Sequence, residues 1–336
     1  MTGEWVVRLP TWLGDTIMAM PTLRRLAVAV PDRLTLWGPG HVQPLLAELG
    51  LRTHYVPYRR RPGLAGVQDA RSAISDLRRL DLDAALLLPN AFEAALIPAL
   101  ARIPRRVGYS TDGRGWLLTD ALAPPPAHRV VHEADRFAGL LEPLAVEAPA
   151  IADLETPVSA ELERRSASII AAPGDVIGLV PGAANGPAKR WPATAYGALA
   201  TACTETLGTR PALLGGPTDR AAAAAVQEAS EVECIDLVGT DLIDLAAALY
   251  RCRVVVSNDT GAAHLAAALG RPTIVLFGPT DPLRTCPRGP HVYPVSVDCS
   301  CQPCLSHDCP LEHRCMDGLE VETVFKAVAD AWRSPG

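Results

Sequence analysis

Aromatic side chains are scarce in this 336-residue chain: they make up 5% of it, with four Phe. The apolar content of 49% comes mainly from Ala and Leu, as expected of helices packed on sheets. No apolar run reaches the roughly 18–20 residues that a membrane-spanning helix requires. The N-terminus runs straight into the strand-like Trp5–Arg8, without a basic segment followed by an apolar one, so it does not read as a signal peptide. Positive charge is not in excess either. The formal net charge is −6 and the pI is near 5.8, which argues against nucleic acid as the main partner. After the first strand Gly14 stands alone, where a dinucleotide-binding enzyme would carry G-x-G-x-x-G, and this argues against a dehydrogenase.

What is present is alternation. Apolar runs at Trp5–Leu9, Leu34–Trp37, His54–Tyr58 and Ala84–Leu88 are separated by helical patterns such as Thr16–Val28 and Val42–Leu49. Runs at Val176–Val180, Pro211–Leu214, Cys234–Leu237, Val254–Ser257 and Thr273–Phe277 repeat the theme. Strand–helix alternation of this kind implies an α/β fold with parallel sheets covered by helices on both faces. The length exceeds that at which one core usually divides, and a Pro/Ala/Glu-rich stretch around Leu144–Pro157 fits a linker. The expected division is residues 1–155, residues 156–320, and a closing segment, 321–336, whose helix Val321–Trp332 could pack back on the first half. Ligands of doubly wound sheets bind beyond the carboxyl ends of the strands, so the chemistry is expected in the turns there.

Three such turns carry reactive residues. After the first strand, Thr11-Trp12-Leu13-Gly14-Asp15 leads into an amphipathic helix. Asp15 at that helix start would be held ionised by the helix dipole, or would serve only as an N-cap. After Val176–Val180, the segment PGAANGPAKRWP (Pro181–Pro192) is a loop suited to close approach by a ligand, with Lys189 and Arg190 as positive charge for a diphosphate. The strand Val254–Ser257 is followed by Asn258-Asp259-Thr260-Gly261 and an Ala-rich helix. Unpaired N–H groups at Thr260 and Gly261 make an anion site there, and a glycine lets a phosphate approach the backbone. An ordinary capped turn is the plainer account. Basic clusters at Arg59–Arg61 and Arg105–Arg106 are either solvated surface or contacts for an anionic acceptor.

In order and spacing, the Gly-Asp turn, the PGA…GPAKRWP loop and the SNDTG…H…GPTD block (Ser257–Asp281) resemble glycosyltransferase family 9, the ADP-heptose:lipopolysaccharide heptosyltransferases. The resemblance extends through LLLPNAFEAALIPAL (Leu86–Leu100), RRVGYS (Arg105–Ser110) and LLGGPTDR (Leu213–Arg220), nearly end to end, and it looks closest to the heptosyltransferase II group. It implies the GT-B fold: two Rossmann-like doubly wound parallel-sheet domains facing a crevice, acceptor on the first and nucleotide-sugar on the second. It also implies an inverting transfer of heptose from ADP-heptose to the lipopolysaccharide inner core, with no cofactor and no catalytic metal. Asp15 then becomes the general base and Lys189 the group that stabilises the departing diphosphate. Gly216, Thr218, Asp259, Thr260, Gly261 and His264 join Lys189 around the nucleotide-sugar, with Asp219 an alternative to Thr218 near the ribose. His264 either faces the site or packs beneath it. Asn90 and Glu93, after Ala84–Leu88, fall on the acceptor side. The enzyme would be cytoplasmic, in peripheral contact with the inner membrane that anchors its lipid A-core acceptor. Transfer or epimerisation of another nucleotide-sugar, and a non-catalytic nucleotide-binding module, are the alternatives. Asp15 discriminates, because a module has no use for it.

Five of nine cysteines fall in CSCQPCLSHDCPLEHRCM, Cys299–Met316. Cys301, Cys304, Cys309 and Cys315 could supply tetrahedral metal ligands, although two well-separated CxxC knuckles are missing. An Fe–S site, a disulfide or reduced thiols remain open, and the transfer chemistry needs none of them.

Overall fold

The computed structural model describes residues 3–126, 128–149, 156–170, 174–184 and 186–333. The chain divides into two compact units, Met1–Asp153 and Leu154–Gly336, close to the boundary expected at 155. Residues 150–155 of the proposed linker lie outside the described residues.

The first unit holds six strands: β1 (Trp5–Arg8), β2 (Leu34–Gly38), β3 (His54–Pro57), β4 (Ala84–Leu87), β5 (Arg105–Tyr109) and β6 (Asp120–Leu122). The second holds β7 (Val176–Val180), β8 (Arg210–Gly215), β9 (Ile235–Val238), β10 (Val254–Asn258), β11 (Thr273–Phe277) and β12 (Val292–Ser296). Their orders are β3-β2-β1-β4-β5-β6 and β12-β11-β10-β7-β8-β9, and every pairing is parallel. Counted within its own unit, each sheet therefore has the order 3-2-1-4-5-6, the doubly wound arrangement whose direction reverses between its first and fourth strands. Those switch points are β1/β4 and β7/β10.

Strands β1, β4, β7, β10 and β11 are buried on both faces, which is why they read as unbroken apolar runs instead of alternating ones. Three strands show no such run in the sequence: β5 opens with Arg105-Arg106, β6 spans only three residues with Ala121 exposed between half-buried neighbours, and β12 contains Pro294. Pro294 is tolerated because β12 is an edge strand paired only with β11, where a missing N–H costs no ladder bond.

The second unit opens with a helix from Ala160 to Ile169, with the Ser159 hydroxyl accepting from Leu162 N at 3.0 Å as an N-cap. The last helix, Val321–Arg333, does not form a separate closing segment. Its face Val324, Val328 and Ala331 is buried in the second unit's core with Trp191, Tyr196, Val256 and Leu276. A strongly two-sided helix satisfies its apolar stripe on the nearest uncovered sheet face.

In that core the helices Ala193–Leu207 and Arg220–Ala229 meet at Gly197, where a Cβ would stand 2.6 Å from the Ala229 carbonyl. Gly197→Val should therefore force the helices apart and destabilise the fold by about 1–3 kcal/mol. A lowered urea midpoint would show it; an unchanged midpoint would mean that the helices separate freely.

Candidate active-site residues in the two units

All three reactive turns lie at switch points. Asp15 follows β1 and Asn90 and Glu93 follow β4; Lys189 follows β7, and Asp259, Thr260 and Gly261 follow β10.

In the second unit the loop after β7 and the end of β10 are joined by Asn258, whose side chain is completely buried. Its amide donates to the carbonyls of Pro181 (2.9 Å) and Gly182 (3.0 Å). Its oxygen accepts from Trp191 N (3.1 Å) and the Tyr196 hydroxyl (3.2 Å). With the loop fixed at both ends, the turn Pro187–Lys189 delivers Lys189 Nζ to Asp259, 2.9 Å from Oδ2 and 3.3 Å from the main-chain oxygen. Thr280 Oγ1 donates to the same carboxylate oxygen at 2.8 Å. Asp259 is 5% exposed and Lys189 16%. A pair this enclosed holds its geometry firmly, since separating it would leave a buried charge uncompensated. Asp259 thus orders the turn and aims the ammonium.

Thr260 is the N-cap of the helix Gly261–Ala268, extended at φ −139° and ψ 170°, and its side chain makes no capping bond. Its hydroxyl instead meets Ser257 Oγ at 3.2 Å. The first intrahelical acceptor is Thr260 O, reached by Ala263 N and His264 N, so the N–H groups of the first turn point out at the positive end of the helix dipole. His264 is buried at 6% exposure, one turn into the helix.

The Gly216 turn is built around Asp219. The Asp219 carboxylate accepts from Gly216 N at 2.9 Å and lies 2.1 Å from where a Cβ on Gly182 would stand. That contact demands glycine at 182. Asp219 is therefore a brace between two loops, while Thr218 beside it is exposed.

The Cys-rich segment supports these turns from outside. Gln302 Nε2 donates to Gly278 O at 2.6 Å and Leu305 N to Pro279 O at 2.9 Å, while His307 O accepts from Ala188 N at 3.2 Å. Its five thiols are free of disulfides; Cys299 and Cys301 approach within 3.4 Å, Sγ to Sγ. Among the described residues no three His, Cys, Asp or Glu side chains gather as a metal-ligand set.

In the first unit the helix Leu13–Ala29 starts from Trp12 as N-cap, so Asp15 is not the cap but a half-buried member of the first turn. Asn90 Oδ1 is buried without a hydrogen-bond partner, an acceptor atom left for a ligand or water. Glu93 is already engaged: the Tyr58 hydroxyl donates to it, and Arg60 Nε lies 2.9 Å from its other oxygen. Two buried arginines escaped the sequence reading. Arg114 donates to Tyr109 O (2.9 Å), Ala91 O (3.2 Å) and Pro89 O, tying the loops after β4 and β5 together. Burial pushes its pKa down to about 10. Arg8, at the end of β1, is the other. Little in the local sequence marks either one, because each also reaches carbonyls more than 20 residues away, Trp37 O for Arg8 and Pro89 O and Ala91 O for Arg114.

The profile of glycosyltransferase family 9 (heptosyltransferase) matches residues 70–314. The chain belongs to this family. It is similar to lipopolysaccharide heptosyltransferase 2 of Salmonella typhimurium, 31% identical over 81% of this chain and 82% of that protein. To lipooligosaccharide heptosyltransferase 2 of Haemophilus influenzae it is 32% identical, over 83% and 84%. The solved structure of E. coli ADP-heptose lipopolysaccharide heptosyltransferase II superimposes with a TM-score of 0.81 at 25% identity, covering 98% of both chains. The family is one of glycosyltransferases, and the paired six-stranded parallel sheets are its GT-B fold.

Because Asn258 joins the turns that carry Lys189 and Asp259, Asn258→Leu should strand the Pro181 and Gly182 carbonyls and Trp191 N. At about 1–3 kcal/mol for each buried unpaired group, a loss of about 3 kcal/mol or more is expected. Hydrogen exchange should accelerate across residues 182–191; unchanged exchange there would mean that the amide is dispensable.

Proposed function

We propose that this glycosyltransferase moves a heptose from ADP-heptose to the lipopolysaccharide inner core with inversion, handling the acceptor on its first unit and the donor on its second. The observation that carries the reading is the Lys189–Asp259–Thr280 cluster beside the helix-terminal N–H groups of Thr260 and Gly261, in a chain similar to heptosyltransferases of group 2 over 81% of its sequence and 98% of its fold. As the glycosidic bond breaks, negative charge grows on the β-phosphate of ADP. A fixed ammonium and helix-terminal N–H groups stabilise that charge more in the transition state than in the ground state, which is what raises the rate. Gly261 admits the diphosphate to the backbone; Gly216 and Thr218 border the nucleotide; His264, buried below, supports the helix start.

On the acceptor side Asp15 is the general base. It takes the proton of the acceptor hydroxyl as that oxygen attacks the anomeric carbon from the face opposite ADP. Asn90 receives an acceptor hydroxyl on its unpaired oxygen, and Glu93 acts by holding Arg60 and Tyr58. No helix among the described residues is long and apolar enough to cross a membrane. Access to a membrane-anchored acceptor is by peripheral contact on the cytoplasmic side, supported by the exposed Trp12 and Trp116 on turns after β1 and β5, rings suited to an interface.

Asp15→Asn should keep ADP affinity and lower turnover by roughly 10²–10⁴-fold, the usual worth of a general base. Full turnover in this variant would reduce Asp15 to a helix-start residue and reopen the binding-module reading. Lys189→Ala should weaken ADP binding, measured by calorimetry, and slow transfer in parallel. Transfer should also persist in excess EDTA; a strict magnesium requirement would contradict the metal-free mechanism.

A further inference from the structure

The Cys-rich segment touches both sides of the Lys189–Asp259 pair. On one side Gln302 Nε2 donates to Gly278 O (2.6 Å) and Leu305 N to Pro279 O (2.9 Å). Gly278 and Pro279 lead directly to Thr280, whose hydroxyl holds Asp259 at 2.8 Å. On the other side Ala188 N, one residue before Lys189, donates to His307 O at 3.2 Å. A Cβ on Gly186 would stand 2.5 Å from that same oxygen, so loop and segment are closely packed there. Residues 302–307 therefore bridge the turn after β11 and the loop after β7.

The bridge begins at two thiols. Cys299 O accepts from Gln302 N at 2.9 Å, closing a tight turn that brings Cys299 Sγ within 3.4 Å of Cys301 Sγ. Both residues are half-buried and within reach of solvent. Cys203 and Cys252, by contrast, are enclosed in the core. Burial pushes their thiols up to about 12, and that of Cys286 up to about 11. Thiolate is the form that attacks a disulfide, so those three stay inert at neutral pH while the surface pair is open to exchange.

We propose that Cys299 and Cys301 are a reversible oxidation site, through which a low-molecular-weight disulfide lowers the donor affinity of this chain. A thiolate of the pair attacks the disulfide RSSR and expels one RS⁻. The second protein sulfur then attacks the mixed disulfide and expels the other. The protein gives up two hydrogens with their electrons, RSSR becomes two RSH, and a Cys299–Cys301 bond is formed. To make that bond the sulfurs close from 3.4 Å to about 2.05 Å. With one residue between the cysteines, this turns the backbone that carries Gln302. Gln302 is drawn off Gly278 O, and Thr280 and Asp259 are held less firmly behind Lys189. A ring this small is strained, and strained, exposed disulfides are readily reduced again. The proposal rests on Lys189 and Asp259 serving the donor, and adds a control over that site.

The full chain is incubated with oxidised or with reduced glutathione, free thiols are blocked, and peptides are mapped by mass spectrometry. The oxidised sample should carry an internal Cys299–Cys301 bond, a loss of two hydrogens, which dithiothreitol removes. Hydrogen exchange without ADP should quicken at Gly278 and Thr280. Calorimetry should show ADP affinity lowered roughly tenfold, about what one supporting hydrogen bond is worth, and restored by dithiothreitol. The double variant Cys299→Ser, Cys301→Ser should bind ADP like the reduced wild type and ignore oxidised glutathione, whereas Cys304→Ser should respond as wild type does. Gln302→Ala should lower ADP affinity to a similar extent with no oxidant, which keeps the test valid if the double variant does not fold. Pairing of either thiol with another cysteine, a lasting glutathione adduct in place of the internal bond, or an internal bond that leaves ADP affinity unchanged would overturn the proposal. A chain that binds no ADP in either state defeats the donor reading instead, with the internal bond and the faster exchange still in place.

Discussion

Asn258 has a fully enclosed carboxamide whose donors meet two carbonyls of the loop after β7 and whose oxygen meets Trp191 N and Tyr196 Oη. Backbone groups of a turn that leaves a sheet have no strand partner, and inside a protein they must find one. A single amide supplies partners to both sides of the switch point, so the turn holding Lys189 and the turn holding Asp259 cannot shift independently. The Lys189–Asp259 pair, the Thr280 hydroxyl and the Gln302 amide on Gly278 are added to that base. Without it each would have to order a loop against its own conformational entropy.

The first unit reaches a similar end by different means. Arg114 does for the loops after β4 and β5 what Asn258 does for those after β7 and β10, with a guanidinium donating to three carbonyls. A charged brace costs more to bury than an amide, which is visible in its lowered pKa.

Sequence made the two-sheet plan and the positions of the reactive turns readable, because central parallel strands are continuous apolar runs and the turns between them concentrate Gly, Pro and Asp. Strands β7 and β11 came out residue for residue. Three strands did not: the edge strands β6 and β12 lack the run, and β5, beside β6, starts with two arginines. The last helix showed its period but not its partner, since a stripe says that a face is buried and not against what. Asp15 was legible as a helix-start residue but not as one placed after the cap. Glu93 was legible as a polar residue at the right strand end, yet its engagement by Tyr58 and Arg60 depends on residues 33 to 35 positions away. Arg8 was read only as the end of a strand. Contacts of this range leave no local trace.

The shared strand order has a consequence for how such a chain can change over time. Each sheet offers its own set of loops, and under the division of labour proposed above donor recognition draws on those of the second while acceptor recognition draws on those of the first. Substitutions in the loops of the first sheet could then alter what is glycosylated without disturbing how the leaving nucleotide is managed. A lineage facing new surface saccharides has a region open to drift beside one that must stay fixed, and the bond between Asn258 and its loop marks the conservative side of that divide.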